Sequence, residues 1–101
     1  MKLEVKQIYT TLEDTKKIVI KEEFLFDNAE ISYTLKCGVT FMAKIENKGL
    51  STYVAIVRMS DNKEGFEVVD SFEIALNKVF VYSLNSSDID LVCEFALKKQ
   101  N

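Results

Sequence analysis

The sequence predicts an α+β domain: an antiparallel β-meander of about five to six strands with a C-terminal pair of helices packed on one face. Three observations predict it. Residues 31–45 alternate apolar and polar side chains, turn-forming residues recur at 27–28, 47–49 and 60–65, and from Asp70 the apolar spacing changes to three and four.

The alternation is carried by Ile31, Tyr33, Leu35, Cys37, Val39, Phe41, Ala43 and Ile45, with polar residues or Gly38 between them and only Met42 out of pattern. Successive side chains of a strand point to opposite faces, so one face meets a core and the other meets water. The run is longer than an ordinary strand. Either Gly38 bends one long strand, or Lys36-Cys37-Gly38 is a three-residue turn that pairs Leu35 with Val39 and Tyr33 with Phe41. The turn aligns the flanking strands better.

Taken in order, residues 2–10 place Leu3, Val5 and Tyr9 on one side, with Gln7 as the one blemish, and Leu12-Glu13-Asp14-Thr15 reads as a turn. Lys16 to Phe26 follows, with Ile18, Ile20, Phe24 and Phe26 on one side and Glu22 interrupting them. Closing around Glu13-Asp14 sets Leu3 opposite Phe24 and Tyr9 opposite Ile18, apolar on apolar. Asp27-Asn28 suits a two-residue hairpin loop that would set Phe24 opposite Ile31 and Ile20 opposite Leu35. A three-residue loop at Asn47-Lys48-Gly49 would pair Phe41 with Ala55, Val39 with Val57 and Ala43 with Tyr53. A last loop at 60–65 pairs Met59 with Phe66, Val57 with Val68, and Arg58 with Glu67 as opposite charges.

From Asp70 onward, Asp70 and Glu73 have capping-box spacing, and Phe72, Ala75, Leu76, Val79 and Phe80 follow at helical intervals. Ser86 or Ser87 caps a second helix with Ile89, Val92, Cys93 and Ala96 on one face. Asp88 and Asp90 then sit in its first turn, with Lys98 and Lys99 at its end, where the helix dipole favours each sign. The expected organisation is one domain, 1–101, with the sheet in 1–69 and a two-helix lid in 70–99.

Composition narrows the function. The 101 residues are 48% hydrophobic and 29% charged, ordinary for one globular domain, with no apolar run long enough to span a bilayer and no signal-peptide block at the N-terminus. The expectation is a soluble cytoplasmic protein. Sixteen acids against 13 bases give a net charge of −3 without a basic stripe, which argues against direct nucleic-acid binding. The second predicted helix carries Asp88, Asp90 and Glu94 where a DNA reader would carry basic or amide side chains. Arg58 is the sole arginine, a usage fitting an A+T-rich genome.

The sequence contains no histidine, the usual general base and transition-metal ligand. Its three glycines are isolated at turn positions and form no phosphate loop. The expectation is therefore no enzyme, no cofactor, no metal and no small-molecule substrate. Glu22 on the core face and the Cys93 thiol are the groups an enzymatic reading would have to use. Cys37 and Cys93 read otherwise as small apolar residues kept reduced.

What remains is surface. On the solvent face of the predicted sheet, Met42, Val54 and Ile56 fall side by side with Val69 near Ile56, rimmed by Lys44, Thr40, Thr52 and Arg58. A contiguous apolar patch with a polar rim marks a candidate partner-binding face. The acidic outer side of the predicted last helix, Asp90 and Glu94, is a second candidate surface for a basic partner.

Residues 68–97, with a V-D-S start, a S-L-N-S-S-D turn and D-L-V-C-E-F-A-L, resemble a family of short uncharacterised proteins, a domain of unknown function, from low-GC Gram-positive bacteria and their phages. Y-T-L-K-C-G-V-T-F at 33–41 is similar to that family's Tyr-x-x-x-x-Gly-hydrophobic strand. The resemblance implies the α+β architecture and a bacterial or phage origin. The expected function is a non-catalytic protein-binding module, an anti-CRISPR-like inhibitor of a host defence complex encoded by a phage or mobile element. The alternative is a homodimeric structural or regulatory bacterial protein.

Overall fold

A computed structural model describes residues 1–10, 16–26, 29–59, 65–85 and 90–99. Eight strands lie among them: β1 (Lys2–Tyr9), β2 (Ile18–Leu25), β3 (Glu30–Thr34), β4 (Thr40–Glu46), β5 (Ser51–Met59), β6 (Phe66–Ala75), β7 (Val79–Asn85) and β8 (Asp90–Lys98). They form two four-stranded antiparallel sheets, β2-β1-β8-β7 and β3-β4-β5-β6. The chain is a β-sandwich.

The helix pair expected over 70–99 is absent among the described residues; only a 3₁₀ turn at Asn47–Gly49 interrupts the strands. The boundary drawn at 69/70 falls inside β6. In β8 the true period is two, with Leu91, Cys93, Phe95 and Leu97 all buried. Val92 and Ala96 on the opposite face are what supplied the apparent helical spacing. Phe72 and Ile74 of β6 and Phe80 and Tyr82 of β7 alternate likewise, and the Leu76-Asn77 turn between the strands gave the spacing of three and four. Aromatic and β-branched side chains dominate this segment and pack well on a pleated surface. The first sheet's apolar face did need a cover, and the other sheet supplies it. The capping residues Ser86 and Ser87, the turn at Glu13-Asp14 and the loop at Asp27-Asn28 lie outside the described residues.

Several predicted pairings stand. Leu3 pairs with Phe24 and Tyr9 with Ile18 across β1 and β2, and Tyr33 pairs with Phe41 across β3 and β4. Lys36-Cys37-Gly38 is a turn, closed by Leu35 N–H donating to the Val39 carbonyl at 2.7 Å, with Gly38 at φ 100°. The hairpin expected between β2 and β3 does not form. These strands lie in different sheets, so the segment between them crosses from one layer to the other.

The consequential correction is a register shift of one residue. Glu46 pairs with Ser51, so the loop is Asn47–Leu50, one residue longer than expected, and Phe41 faces Ile56 and Ala43 faces Val54. Side chains alternate with a period of two, so a shift of one sends each side chain of β5 to the other face of the sheet. Val54 (0% exposed) and Ile56 (3%) therefore belong to the core.

That core joins Leu3, Val5, Leu91, Cys93, Phe95 and Leu97 of the first sheet to Phe41, Ala43, Val54, Ile56, Phe72 and Ile74 of the second. A chain of rings crosses it from edge to edge. Tyr33 meets Phe24 at 4.6 Å, Phe24 meets Phe41 at 5.3 Å, Phe41 meets Phe95 at 5.7 Å, Phe95 meets Phe72 at 5.4 Å, and Phe72 stacks on Phe80 at 3.8 Å. Edge-to-face and offset contacts of this kind add to the area the rings bury. They link the β2/β3 side of the sandwich to the β6/β7 side.

Candidate functional site

The register of β4, β5 and β6 determines what the second sheet shows to solvent. One cross-strand row is Ser32, Met42, Ala55 and Ser71; on one side of it runs Glu30, Lys44, Tyr53 and Glu73, and on the other Thr34, Thr40, Val57 and Val68. Met42, Tyr53 and Val68 are thus the apolar side chains at the centre of this outer face, with Ala55 and Val57 on the same side but buried beneath their neighbours. Met42 and Lys44 lie where the sequence placed them, on the solvent side, while Tyr53, Ala55 and Val57 stand in the positions expected for Val54 and Ile56. A depression of about 370 Å³ opens among Glu30, Met42, Lys44, Tyr53, Ala55 and Val68. A larger one of about 810 Å³ adjoins it across Glu30, Lys44 and Glu46.

The rim is acidic. Glu30, Glu46 and Glu73 surround Lys44, and Glu73 is fixed in place: its Oε1 accepts from Ser51 Oγ at 2.7 Å and from Asn47 Nδ2 at 3.0 Å. The same Asn47 amide donates to Ser51 Oγ at 2.9 Å, so the turn that sets the register also orders this side of the rim.

Beyond the rim, β5 and β6 project as a ribbon. The register changes between Ile56 and Val57: Ile56 pairs with Asp70 and Val57 with Val68, which leaves Val69 as the extra residue of a β-bulge. Phe66 (62% exposed), Val68 (59%) and Val69 all reach solvent here. Arg58 pairs with Glu67 as expected, Nε to Oε2 at 3.3 Å, but it lies on the Ile56 side of the strand and away from Met42. The predicted six-residue patch is therefore divided: Met42 and Lys44 remain on the face, Val69 and Arg58 are on the ribbon, and Val54 and Ile56 are inside.

Asp90 and Glu94 are on a strand instead of a helix, with Asp90 at the start of β8. Glu94 is half-buried and paired in register with Lys6. Around it the outer face of the first sheet is occupied by a charge network. Glu4 receives Lys98 Nζ at 2.9 Å, Lys2 at 3.3 Å and Lys21 at 3.4 Å. Those ammonium groups, Lys98 foremost, hold its carboxyl down at about 2 against the opposing effect of burial. Glu94 thus shares this face with Lys2, Lys6, Lys21 and Lys98.

Between the sheets lies a polar cluster. Gln7, fully buried on β1, donates from Nε2 to Glu22 Oε2 at 2.6 Å and accepts at Oε1 from the Cys37 N–H at 3.0 Å; Glu22 Oε2 also accepts the Lys36 N–H at 3.0 Å. The two polar breaks in otherwise apolar strands thus anchor the 36–38 turn to the first sheet. Cys37 and Cys93 come together there, Sγ to Sγ at 3.9 Å. Burial and the carboxylate of Asp70 push the Tyr82 phenol up.

Among the described residues no group of three or more acidic or cysteine side chains could hold a metal ion, and no helix is long and apolar enough to cross a membrane. Comparison of the chain with protein-family models, with curated proteins and with solved structures gave no match.

Proposed function

We propose that this chain is a non-catalytic protein-binding module whose partner docks on the outer face of the second sheet. The observation that carries the reading is the apolar centre Met42, Tyr53 and Val68, over buried Ala55 and Val57, bordered at one end by Glu30, Glu46 and Glu73. An apolar patch bordered by charge is the anatomy of a binding surface, and the sign of that border selects a partner that presents apolar side chains flanked by Lys or Arg. In its concrete form the module is an inhibitor from a phage or mobile element that covers a working surface of a host defence complex.

The test compares the wild-type chain, a Met42→Lys/Val68→Lys double variant and a Val81→Lys control on the other sheet as baits in lysate of a low-GC Gram-positive bacterium. The expected result is a stoichiometric partner held by wild type and Val81→Lys, released by moderate salt, and lost from the double variant. A partner captured equally by the double variant, or none at all, overturns the reading. If the chain is instead a dimer by light scattering and the double variant a monomer, the face binds a second copy and the homodimer replaces the inhibitor.

A further inference from the structure

We propose that Cys37 and Cys93 are a reversible dithiol–disulfide couple, with Cys37 the attacking sulfur toward small-molecule disulfides and Cys93 the resolving one. This site lies at the seam between the sheets and is independent of the docking face.

Three features of the geometry carry it. Cys37 sits in the turn between β3 and β4 and is only half-buried, so a small disulfide can reach it, whereas Cys93 in the middle of β8 is fully covered. Their sulfurs are 3.9 Å apart although the residues are 56 positions apart in sequence. The turn is held over Cys93 by hydrogen bonds from the Cys37 and Lys36 N–H groups to Gln7 and Glu22, and Gln7 is Cys93's neighbour across β1 and β8. Gly38 at φ 100° ends the turn, and forming the disulfide requires the Cys37 sulfur to close from 3.9 Å to a bond of about 2 Å.

The protonation pattern agrees with the division of roles. Cys37 is lowered to about 7, chiefly because the Cys93 thiol hydrogen-bonds to it and further because the Val39 backbone does. The same hydrogen bond, with burial, pushes Cys93 up. Near neutral pH the more accessible sulfur is thus the nucleophile and the buried one keeps its proton.

In the first step the Cys37 thiolate attacks one sulfur of R–S–S–R. The S–S bond breaks, RS⁻ leaves and is protonated by water, and Cys37 is left as a mixed disulfide. Cys93 then gives up its proton as its sulfur attacks that of Cys37, and the second RS⁻ departs and takes up a proton. Both cysteine thiols are oxidised to one disulfide and R–S–S–R is reduced to two RSH. The new bond ties the β3–β4 turn to β8, one sheet to the other.

The experiment incubates the full chain, fully reduced, with oxidised glutathione at neutral pH and follows intact mass and thermal melting. Wild type is expected to become lighter by two hydrogens, without retained glutathione, and to melt higher by about 10 °C, the effect of closing a long loop. Cys93→Ser, with Cys93→Ala as a second variant in case the buried hydroxyl prevents folding, is expected to stop as a glutathione adduct on Cys37. Cys37→Ser is expected to stay unmodified. A wild-type chain that accumulates the mixed disulfide, or does not react, overturns the proposal, as does Cys37→Ser reacting at the wild-type rate.

Discussion

The two outer faces of this sandwich are built on similar antiparallel ladders and differ in where their charges lie. On the first sheet, Glu4 is enclosed by Lys2, Lys21 and Lys98, so charge meets charge at its centre, while Val19, Leu25, Val79 and Val81 are exposed around it. On the second sheet the corresponding centre is Met42, Tyr53, Ala55 and Val68, and the acids are at its margin. A face whose charges are paired internally has little to gain from a partner, because docking would first have to desolvate or break those pairs. A face with an apolar centre gains by losing water. That difference in where the charges lie is what favours the second sheet as the proposed docking face.

The largest effect that tests this contrast comes from separating the two sides of β5 and its neighbour. Val54→Asp places an unpaired carboxylate among Ala43, Phe72 and the rest of the core and is expected to cost more than about 4 kcal/mol, enough to leave much of a small domain unfolded. Met42→Asp, one strand away and facing out, is expected to cost under about 1 kcal/mol while abolishing partner capture. Urea unfolding of the two variants checks both. Comparable losses would mean that Met42 and Val54 share a side of the sheet, as a three-residue loop at Asn47-Lys48-Gly49 would require.

That ambiguity shows where the sequence was legible and where it was not. The register of β1 on β2 could be read from apolar matching, as Leu3 with Phe24 shows, and that of β5 on β6 from the opposite charges of Arg58 and Glu67. Val54 to Val57 is apolar at every position, so either register of β4 on β5 buried apolar side chains. Only the conformation of Asn47–Leu50 decides between them. Nor does a local signal distinguish a hairpin from a crossover between sheets, which is why β2 and β3 were paired in expectation and parted in fact. In 90–98 the alternation of Leu91, Cys93, Phe95 and Leu97 was present, but Val92 and Ala96 completed a helical stripe as well. The two polar interruptions, Gln7 and Glu22, were visible separately. Their diagonal placement across β1 and β2 was the one available sign that they act together, and the meeting of Cys37 with Cys93 depends on topology that no spacing encodes.

A smaller effect probes the charge-paired face. Glu4 has its carboxyl depressed from about 4.5 to about 2 in the folded state, so its contribution to stability is complete above the ordinary carboxylate range and is lost as pH falls toward 2. Glu4→Gln is expected to lose about 1–2 kcal/mol at neutral pH, less than the full linkage value because its lysine partners are partly exposed and screened by solvent. The variant's melting temperature should also vary less than that of wild type as pH drops from about 5 to 2. Thermal melts across that range, at low and high salt, measure it. Capture of the partner should be unchanged, and a loss of binding in Glu4→Gln would move the docking site to the first sheet.

The smallest effect concerns the turn that assigns β5's side chains to their faces. Asn47 and Lys48 lie at φ 50° and 57°, and Gly49 at 90°, three successive left-handed residues. Asn47 tolerates that geometry and is held by its bonds to Ser51 and Glu73, whereas Lys48 carries a Cβ penalty of about 1 kcal/mol with nothing in return from the turn. Lys48→Gly removes the penalty, partly offset by the greater freedom of glycine in the unfolded chain, and is expected to stabilise the fold by about 0.5–1 kcal/mol. Chemical denaturation reads the gain. Because the substitution leaves Met42, Tyr53 and Val68 in place, partner affinity should not move. If Lys48→Gly instead destabilises the protein, position 48 is not left-handed, the four-residue loop is wrong, and the side chains of β5 return to the faces that a three-residue loop assigns.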